Sequence, residues 1–306
     1  MPEFADIQQA AVRIAPLAKR TPVLTSQLFN KQAGFECFFK CENLQRGGSF
    51  KIRGAANFLL SMEADDLARG VVAFSSGNHA QAVAVAARHT GARATIVMPQ
   101  DAPEAKIEAT RAYGAEVILY DRFKDDREVI GRNIAEKTGA TLVPPFDHEW
   151  IIAGQGTAML ELLEEVPDLD TVVVCVGGGG LLAGSATVVK TISDQIRVFG
   201  VEPELANDTW LSLQAGHRVG IGQSATIADG LRSPMPGALT FPIVQRLVDG
   251  IVLVTETEIQ AAQAFVASRM KLVVEPSGAV SAGAVLAHKI PGSTRRAGVI
   301  FSGGNV

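Results

Sequence analysis

The sequence predicts an α/β protein in which parallel strands alternate with crossover helices. From residue 71 onward, short apolar runs rich in Val and Ile alternate with segments of helical period. This rhythm is typical of parallel sheets flanked by helices. With 306 residues, 47% of them hydrophobic and 20% charged, the chain is long enough to bury a large core and to form two lobes.

The elements follow from local patterns. An amphipathic helix is expected at the N-terminus, because apolar side chains recur at Phe4, Ile7, Ala11 and Ile14. Apolar runs predict strands at residues 71–75, 94–98, 116–120, 140–143, 171–176, 197–202, 249–255 and 297–302. Helical periods predict helices at residues 78–89, 104–113, 124–137, 156–165, after 181, at 256–270 and at 277–287.

Two stretches interrupt the alternation. Pro144 and Pro145 break the pattern, and their turn chemistry predicts a crossing of the chain between the lobes. Residues 207–239 are richer in Gly, Pro and Ser and have no clean period, so we expect a long irregular segment there.

Composition excludes several partners. A formal charge of −4, a pI near 5.8 and the absence of a clustered basic run argue against nucleic acid. No apolar run approaches the roughly 20 residues that span a bilayer, and the early acids do not suit a secretory signal. We therefore expect no membrane partner and a cytoplasmic location. The three cysteines form no CxxC pair, and we expect them to be buried rather than disulfide-bonded.

Lys51 is the first candidate functional residue. It lies in SFKIRGA, after Gly47 and Gly48 and before the helical run 52–62. A lysine is usually a solvated surface charge. At the start of a buried element, however, it can have a lowered pKa and form an imine with an aldehyde.

Two further segments have the chemistry of a ligand site. Four consecutive glycines at 177–180 follow an apolar strand and open a helix, where backbone N–H groups can approach a phosphate. Their spacing is neither GxGxxG nor GxxxxGK[ST], and a structural turn is the alternative. In SSGNHAQ, residues 75–81, Ser76 and Asn78 are expected beyond the carboxyl edge of the sheet, where such folds bind ligands. A helix N-cap is the alternative there.

Together with SGGN at 302–305, these segments resemble the fold-type II pyridoxal-phosphate enzymes, and most closely their serine racemase and serine/threonine dehydratase branch. The similarity covers nearly the whole chain and extends to TPVLTS, FFKCENLQ, IAGQGT and IADGLRS. The resemblance implies two lobes, each an open, mostly parallel sheet flanked by helices, and a homodimer. We expect a large cofactor-binding domain at 1–50 and 144–306, a small domain at 51–143, and pyridoxal 5'-phosphate (PLP) in the cleft between them.

The resemblance also implies roles for single residues. Lys51 would form the internal aldimine and act as base on one face of the substrate, and Ser76 would be the acid or base on the other. The cofactor would be held by Phe50, Lys51, Asn78, Gly177, Gly178, Gly179, Gly180 and Ser302. The amino-acid substrate would be held by Ser75, Ser76, Asn78, His79 and Arg127. For Arg127, an exposed helical arginine remains the alternative.

A metal site is a separate prediction. Glu202, Ala206 and Asp208 lie on a turn after a predicted strand, where two carboxylates and one backbone carbonyl could bind a hard cation. Solvated loop acids are the alternative. The resemblance favours a site for Mg²⁺ or Ca²⁺.

The implied reaction is α,β-elimination, in which L-serine, L-threonine or 3-hydroxyaspartate yields a 2-oxo acid and ammonia. Racemisation with Ser76 delivering the opposite proton is the main alternative. β-Replacement is disfavoured, because Ile52 stands where those enzymes usually have an aspartate. A catalytically silent PLP-binding protein is the remote alternative, and the presence of Lys51, Ser76 and Ser302 together argues against it.

Overall fold

Two β-sheets organise the fold. The computed structural model describes residues 1–75, 77–102, 104–121 and 123–306, and of Ala105 it describes only the backbone. The strands are β1 Val23–Thr25, β2 Glu36–Cys41, β3 Val71–Phe74, β4 Ala94–Pro99, β5 Glu116–Tyr120, β6 Thr141–Leu142, β7 Thr171–Cys175, β8 Arg197–Pro203, β9 Gly250–Val254 and β10 Arg296–Phe301. One sheet has the order β1-β2-β10-β7-β8-β9 and the other β5-β4-β3-β6. All neighbours are parallel except β1 and β2.

Helices cover these sheets. They are α1 Phe4–Ile14, α2 Gln27–Ala33, α3 Lys51–Leu60, α4 Ala64–Arg69, α5 Asn78–Thr90, α6 Glu104–Ala112, α7 Arg127–Thr138, α8 Glu149–Glu165, α9 Gly180–Ile192, α10 Asp208–Ala215, α11 Thr240–Leu247, α12 Glu256–Phe265 and α13 Pro276–Leu286. Among the described residues, none of these helices is long and apolar enough to cross a membrane.

Each sheet has its own hydrophobic core. Every residue of β7 is buried, as expected for a central parallel strand with helices on both faces. Ile7 and Ala10 of α1 pack into the core of the six-stranded sheet, whereas Ile14 at the end of α1 packs into the core of the four-stranded sheet. The predicted α/β class is thus confirmed. The strands of the four-stranded sheet lie between residues 71 and 142, and the domain boundaries stay a prediction.

The prediction for α8 was wrong at its start, because the helix begins seven residues earlier, at Glu149 rather than at 156. His148 caps it, with Nδ1 accepting the N–H of Trp150 at 3.1 Å. The glycines that obscured the helical pattern allow close packing. A Cβ on Gly154 would lie 2.4 Å from the carbonyl oxygen of Arg53, and one on Gly156 would lie 3.0 Å from that of Gly184.

Other predicted elements differ at their ends. α7 begins at Arg127 rather than at 124, because the Asp126 carboxylate accepts the N–H groups of Glu128 and Val129 as a cap. The segment 207–239 is not wholly irregular, since it contains α10. The helix predicted at 256–270 is α-helical only to Phe265, and a π-helical turn covers Val266–Met270. The sequence did not predict β1, β2, α2, α4 or α11.

A buried network of ion pairs fixes α3 against the six-stranded sheet. The guanidinium of Arg53 contacts Glu42 and Glu161, each at 2.7 Å, and Lys40 Nζ lies 2.6 Å from Glu161. Arg53, Lys40 and Glu42 are fully buried. Although burial alone would raise the pKa of Glu42, the adjacent Arg53 holds that pKa below its ordinary value. The network sets the position of the helix that begins with Lys51.

Candidate active site

A cavity of about 460 Å³ lies where the carboxyl ends of strands from both sheets meet. Residues after β3, β7 and β10 line it, together with the start of α3 and the segment 229–237. Such edges are the usual ligand sites of open α/β sheets. Of the residues predicted to bind cofactor or substrate, all that are described line this cavity, whereas Ser76 lies outside the described residues.

Lys51 is the first residue of α3, and its half-buried side chain reaches into the cavity. Nζ donates to the carbonyl oxygen of Pro145 at 2.9 Å and lies 5.1 Å from the ring centroid of Phe50. Burial lowers the pKa of Lys51 to about 8, although Cys175 and Glu275 act in the opposite direction. A lysine with this pKa is partly neutral near physiological pH and can act as nucleophile or base.

The four glycines form a turn between β7 and α9. Gly179 has φ of +93°, and the carbonyl oxygen of Gly178 accepts the Thr240 hydroxyl at 2.7 Å. A Cβ on Gly178 would lie 2.3 Å from the Phe146 ring, and one on Gly180 would lie 2.4 Å from Gln155 Oε1. The turn can exist only without side chains there. Its backbone N–H groups and the start of α9 suit an anion.

Ser75, Gly77, Asn78 and His79 also line the cavity, between the end of β3 and the start of α5. The Ser75 hydroxyl accepts the N–H of Gly77 at 3.2 Å, and α5 begins at Asn78. The first N–H groups of a helix have no partner within it, and the positive end of the helix dipole favours a carboxylate there.

His79 is buried and lines the cavity. Its Nε2 lies 3.0 Å from the carbonyl oxygen of Val143, so Nε2 carries the proton. Burial and the nearby Lys51 lower the pKa of His79 to about 3. The ring is therefore neutral and does not offer a positive charge to a substrate carboxylate.

Two further predicted residues, Ser302 and Arg127, come from different elements that line the cavity. Ser302 follows β10, is buried, and its hydroxyl makes a long contact of 3.4 Å with the carbonyl oxygen of Ser277. Arg127 begins α7, and its guanidinium lies 5.6 Å from the centroid of the Phe74 ring. Within the described part of the chain, no carboxylate forms an ion pair with Arg127.

Comparisons with known proteins agree with this geometry. A family model described as "Pyridoxal-phosphate dependent enzyme" matches residues 14–303. The chain belongs to this family.

Relatives place this PLP-dependent enzyme in the serine racemase and dehydratase branch. It is 48% identical over 306 residues to a serine racemase of Schizosaccharomyces pombe, covering 100% of this chain and 95% of the relative. It is 46% identical over 306 residues to an L-threo-3-hydroxyaspartate ammonia-lyase of Saccharomyces cerevisiae, covering 100% and 94%. The structure of maize serine racemase matches with a TM-score of 0.97 at 42% identity, covering 100% of this chain and 94% of that one.

The cavity fits the cofactor that the family implies. A glycine turn that excludes side chains suits the phosphate, and Lys51 is an amine of lowered pKa in the same cavity. The aromatic ring of Phe50 lies beside that amine.

The predicted metal residues lie apart from this cavity. Glu202 in β8 and Asp208 at the start of α10 are both fully buried. Glu202 accepts the N–H groups of Thr209 and Trp210 at 3.1 and 2.9 Å, whereas neither carboxylate oxygen of Asp208 has a hydrogen-bond partner among the described residues. Burial raises the pKa of Glu202 to about 8, with Asp208 adding to it, and burial raises the pKa of Asp208 to about 7.

Two unpaired buried carboxylate oxygens fit a cation. Among the residues that the structure describes, no three His, Cys, Asp or Glu side chains come together as a metal site. An ion at this position would therefore depend on two carboxylates together with backbone and water oxygens, as the sequence predicts for Mg²⁺ or Ca²⁺.

Sequence reasoning missed several residues of the cavity. Lys106 and Asp229 form an ion pair of 3.3 Å between α6 and the segment 229–237. Glu275 lines the cavity and accepts the amide N–H of Asn78 at 2.5 Å. Asn305 donates to the other end of the same amide at 2.8 Å. Asn305 could have been found, because it belongs to the SGGN segment, whereas Glu275 had no local signal.

Proposed function

We propose that this enzyme is a PLP-dependent ammonia-lyase. It converts a β-hydroxy amino acid, L-serine, L-threonine or 3-hydroxyaspartate, into a 2-oxo acid and ammonia by α,β-elimination. One observation supports this above the others: the amine of Lys51, with a pKa of about 8, lies in the same cavity as a glycine turn and a helix N-terminus. A base, an anion site and a carboxylate site are the parts that this reaction needs.

In this proposal residues of both domains hold PLP. The N–H groups of residues 177–180 would bind its phosphate, Phe50 would pack against its ring, Asn78 would donate to its phenolic oxygen and Ser302 would meet its ring nitrogen. Bound PLP supplies the electron sink that stabilises negative charge at Cα of the substrate. The neutral Ser302 hydroxyl leaves the ring nitrogen without a counter-charge.

The protein's own groups handle the substrate. Ser75 and the first N–H groups of α5 bind the α-carboxylate, and the neutral His79 ring fixes the loop through Val143. Once substrate is bound, the Lys51 amine takes the Cα proton. The Cα–H and Cβ–O bonds break, a Cα–Cβ double bond forms, and the hydroxyl leaves as water after taking up one proton. The released enamine tautomerises to an imine, and one water molecule hydrolyses that imine to ammonia and the 2-oxo acid.

Of the three substrates, we propose that 3-hydroxyaspartate is preferred. Its second carboxylate needs a cation in the cavity, and Arg127 lines the cavity without forming an ion pair with any described residue. The name of the yeast relative, L-threo-3-hydroxyaspartate ammonia-lyase, supports the same choice.

Racemisation of serine is the second candidate, and the name of the S. pombe relative favours it. It requires an acid on the face of the substrate opposite Lys51, and Ser76 is the proposed residue. Whether elimination or reprotonation dominates depends on that residue.

The test incubates purified holoenzyme with L-serine, L-threonine and threo-3-hydroxyaspartate, and measures 2-oxo acid and enantiomer ratio together. We expect 2-oxo acid and ammonia, fastest from threo-3-hydroxyaspartate. Lys51→Ala should abolish both products, whereas Lys31→Ala, an exposed lysine, should not. D-Serine appearing faster than pyruvate would instead identify a racemase. No product from any substrate would favour the silent binding protein.

Arg127→Met tests the substrate preference. Loss of a hydrogen-bonded charge costs about 1.5–3 kcal/mol, so kcat/KM for threo-3-hydroxyaspartate should fall roughly tenfold to a hundredfold. The value for L-serine should change much less. Equal losses for both substrates would contradict a role in binding the second carboxylate.

Three further parts of the account are also proposals. A divalent cation, Mg²⁺ or Ca²⁺, binds at Glu202, Ala206 and Asp208. The domains divide at residues 50 and 143. The enzyme is a cytoplasmic homodimer.

A further inference from the structure

The amide of Asn78 is held at both ends. Its Nδ2 donates to Glu275 Oε1 at 2.5 Å, and its Oδ1 accepts Nδ2 of Asn305 at 2.8 Å. Asn305 Nδ2 also donates to the carbonyl oxygen of Gly47 at 2.8 Å. These contacts form a chain of hydrogen bonds across the cavity wall, from the loop before Lys51 to the start of α13.

The ends of this chain determine the orientation of both amides. A backbone carbonyl only accepts, so the group of Asn305 that faces Gly47 must be Nδ2. The same nitrogen then faces Asn78, which must present Oδ1 to it. Asn78 Nδ2 is thereby directed to the Glu275 carboxylate. One N–H of Asn78 remains without a partner within the described residues.

The backbone holds Asn305 in place. The N–H of Phe50 donates to the carbonyl oxygen of Ser302 at 3.0 Å, and that of Gly304 donates to Gly48 at 2.9 Å. A bridge between Ser49 and Gly303 lies between these two contacts. Residues 302–305 therefore lie antiparallel to residues 47–50, which directly precede Lys51.

Packing explains why this segment is rich in glycine. A Cβ on Gly48, whose φ is +71°, would lie 2.1 Å from Asn305 Oδ1, and one on Gly303 would lie 2.3 Å from Glu275 Oε1. Glu275 is itself buried, and its N–H donates to the carbonyl oxygen of Gly303 at 3.1 Å. Only small residues at these places let Asn305 and Glu275 both reach Asn78.

We propose that Asn305 is a positioning residue for Asn78, fixing its amide so that the remaining N–H is a donor to the cavity. This inference rests on the proposed function, in which that N–H meets the phenolic oxygen of PLP. Without Asn305 the amide keeps only its contact with Glu275, so its remaining N–H is directed less firmly at the phenolic oxygen. Glu275 supports the same orientation from the other end.

The test compares Asn305→Ala, Asn305→Asp, Asn78→Ala and the double variant Asn305→Ala/Asn78→Ala. For each we measure the absorbance of bound PLP, its dissociation constant and the Tm of the cofactor-free protein. Loss of one hydrogen bond should weaken PLP binding about five- to tenfold in Asn305→Ala. The visible absorbance should decrease in favour of the near-ultraviolet, because the charged form of the phenolic oxygen loses a donor.

Asn305→Asp should have an effect at least as large, because a carboxylate cannot donate to Gly47 or to Asn78. In the Asn78→Ala background, Asn305→Ala should add little to either readout. The control is Asn43→Ala, since Asn43 donates to the carbonyl oxygen of Val273 at 2.9 Å and forms no hydrogen bond with Asn78. It should lower the Tm without changing the absorbance.

The inference would be overturned if the double variant weakened PLP binding by the product of the two single effects. It would also be overturned if both Asn305 variants kept the absorbance of the wild type. Those results leave the proposed function intact. A wild-type protein that takes up no PLP would contradict the proposed function itself, and the inference would be rejected with it.

Discussion

Arg53 and Glu42 form a fully buried ion pair, in which Nε of Arg53 lies 2.7 Å from Oε2 of Glu42. Arg53 follows Lys51 by two residues. The carboxylate of Glu161 accepts hydrogen bonds from Nη1 and Nη2 of the same guanidinium. Removing the charge from Arg53 leaves Glu42 buried without its main partner, which typically costs about 3–5 kcal/mol.

We therefore expect Arg53→Met to lower the free energy of unfolding by about 3–5 kcal/mol in urea titrations. Arg20→Met is the matched control, because Arg20 pairs with Glu164 at the same 2.7 Å but both side chains are exposed. Its cost should be within about 1 kcal/mol. Equal costs for the two variants would contradict a structural role for the buried network.

Lys51 should react as an unusually acidic lysine. We expect the cofactor-free protein to be labelled by PLP and borohydride at Lys51, with a rate that rises with pH to a midpoint of about 8. The reason is that only the neutral amine attacks an aldehyde. Peptide mapping measures the labelled site. A midpoint for Lys51 at the ordinary lysine pKa of 10.5 would rule out the lowered pKa.

The glycine turn should not tolerate a methyl group. In Gly178→Ala the new Cβ would lie 2.3 Å from the Phe146 ring, so we expect a loss of about 1–3 kcal/mol in stability together with weaker PLP binding. Gly222→Ala is the control, since a Cβ on Gly222 would have no other atom within 4 Å. Calorimetry and PLP titration measure the two effects. Unchanged PLP binding in Gly178→Ala would contradict a phosphate site at this turn.

Glu202 and Asp208 should make stability fall as pH rises. Their folded-state pKa values, about 8 and about 7, exceed the ordinary values of 4.5 and 3.8. Between these limits the folded protein retains protons that the unfolded chain releases, so each rise in pH favours unfolding. The Tm of the metal-stripped protein should therefore decrease from about pH 5 to about pH 8.

A bound divalent cation should oppose this decrease, because it stabilises the folded state and pairs with both carboxylates. Millimolar Mg²⁺ or Ca²⁺ should raise the Tm more at about pH 8 than at about pH 5. Asp208→Asn is the control, and both the pH dependence and the response to cation should be smaller in it. If neither ion shifts the Tm at either pH, the metal proposal is wrong.

The predictions from sequence succeeded where a signal is local. The strands β3, β4, β5 and β7 are apolar runs of ordinary length, and each begins at the predicted residue. The start of α8 was missed because Gly154 and Gly156 lower helix propensity, and only the packing of α3 and α9 explains them. β2 was missed because its residues pair with β10, about 260 residues away.

The sequence by itself determined the α/β class, the order of most elements after residue 71 and the segments around Lys51, Asn78, the four glycines and Ser302. These depend on periodicity and on motifs within a few residues. Only the tertiary structure decided that Arg53 is buried in an ion network, that His79 is neutral, and that Glu275 and Asn305 hold Asn78 from both ends. The physical reason is that burial, pKa and hydrogen-bond partners depend on neighbours distant in the chain, and Asn78 lies 197 and 227 residues from these two partners.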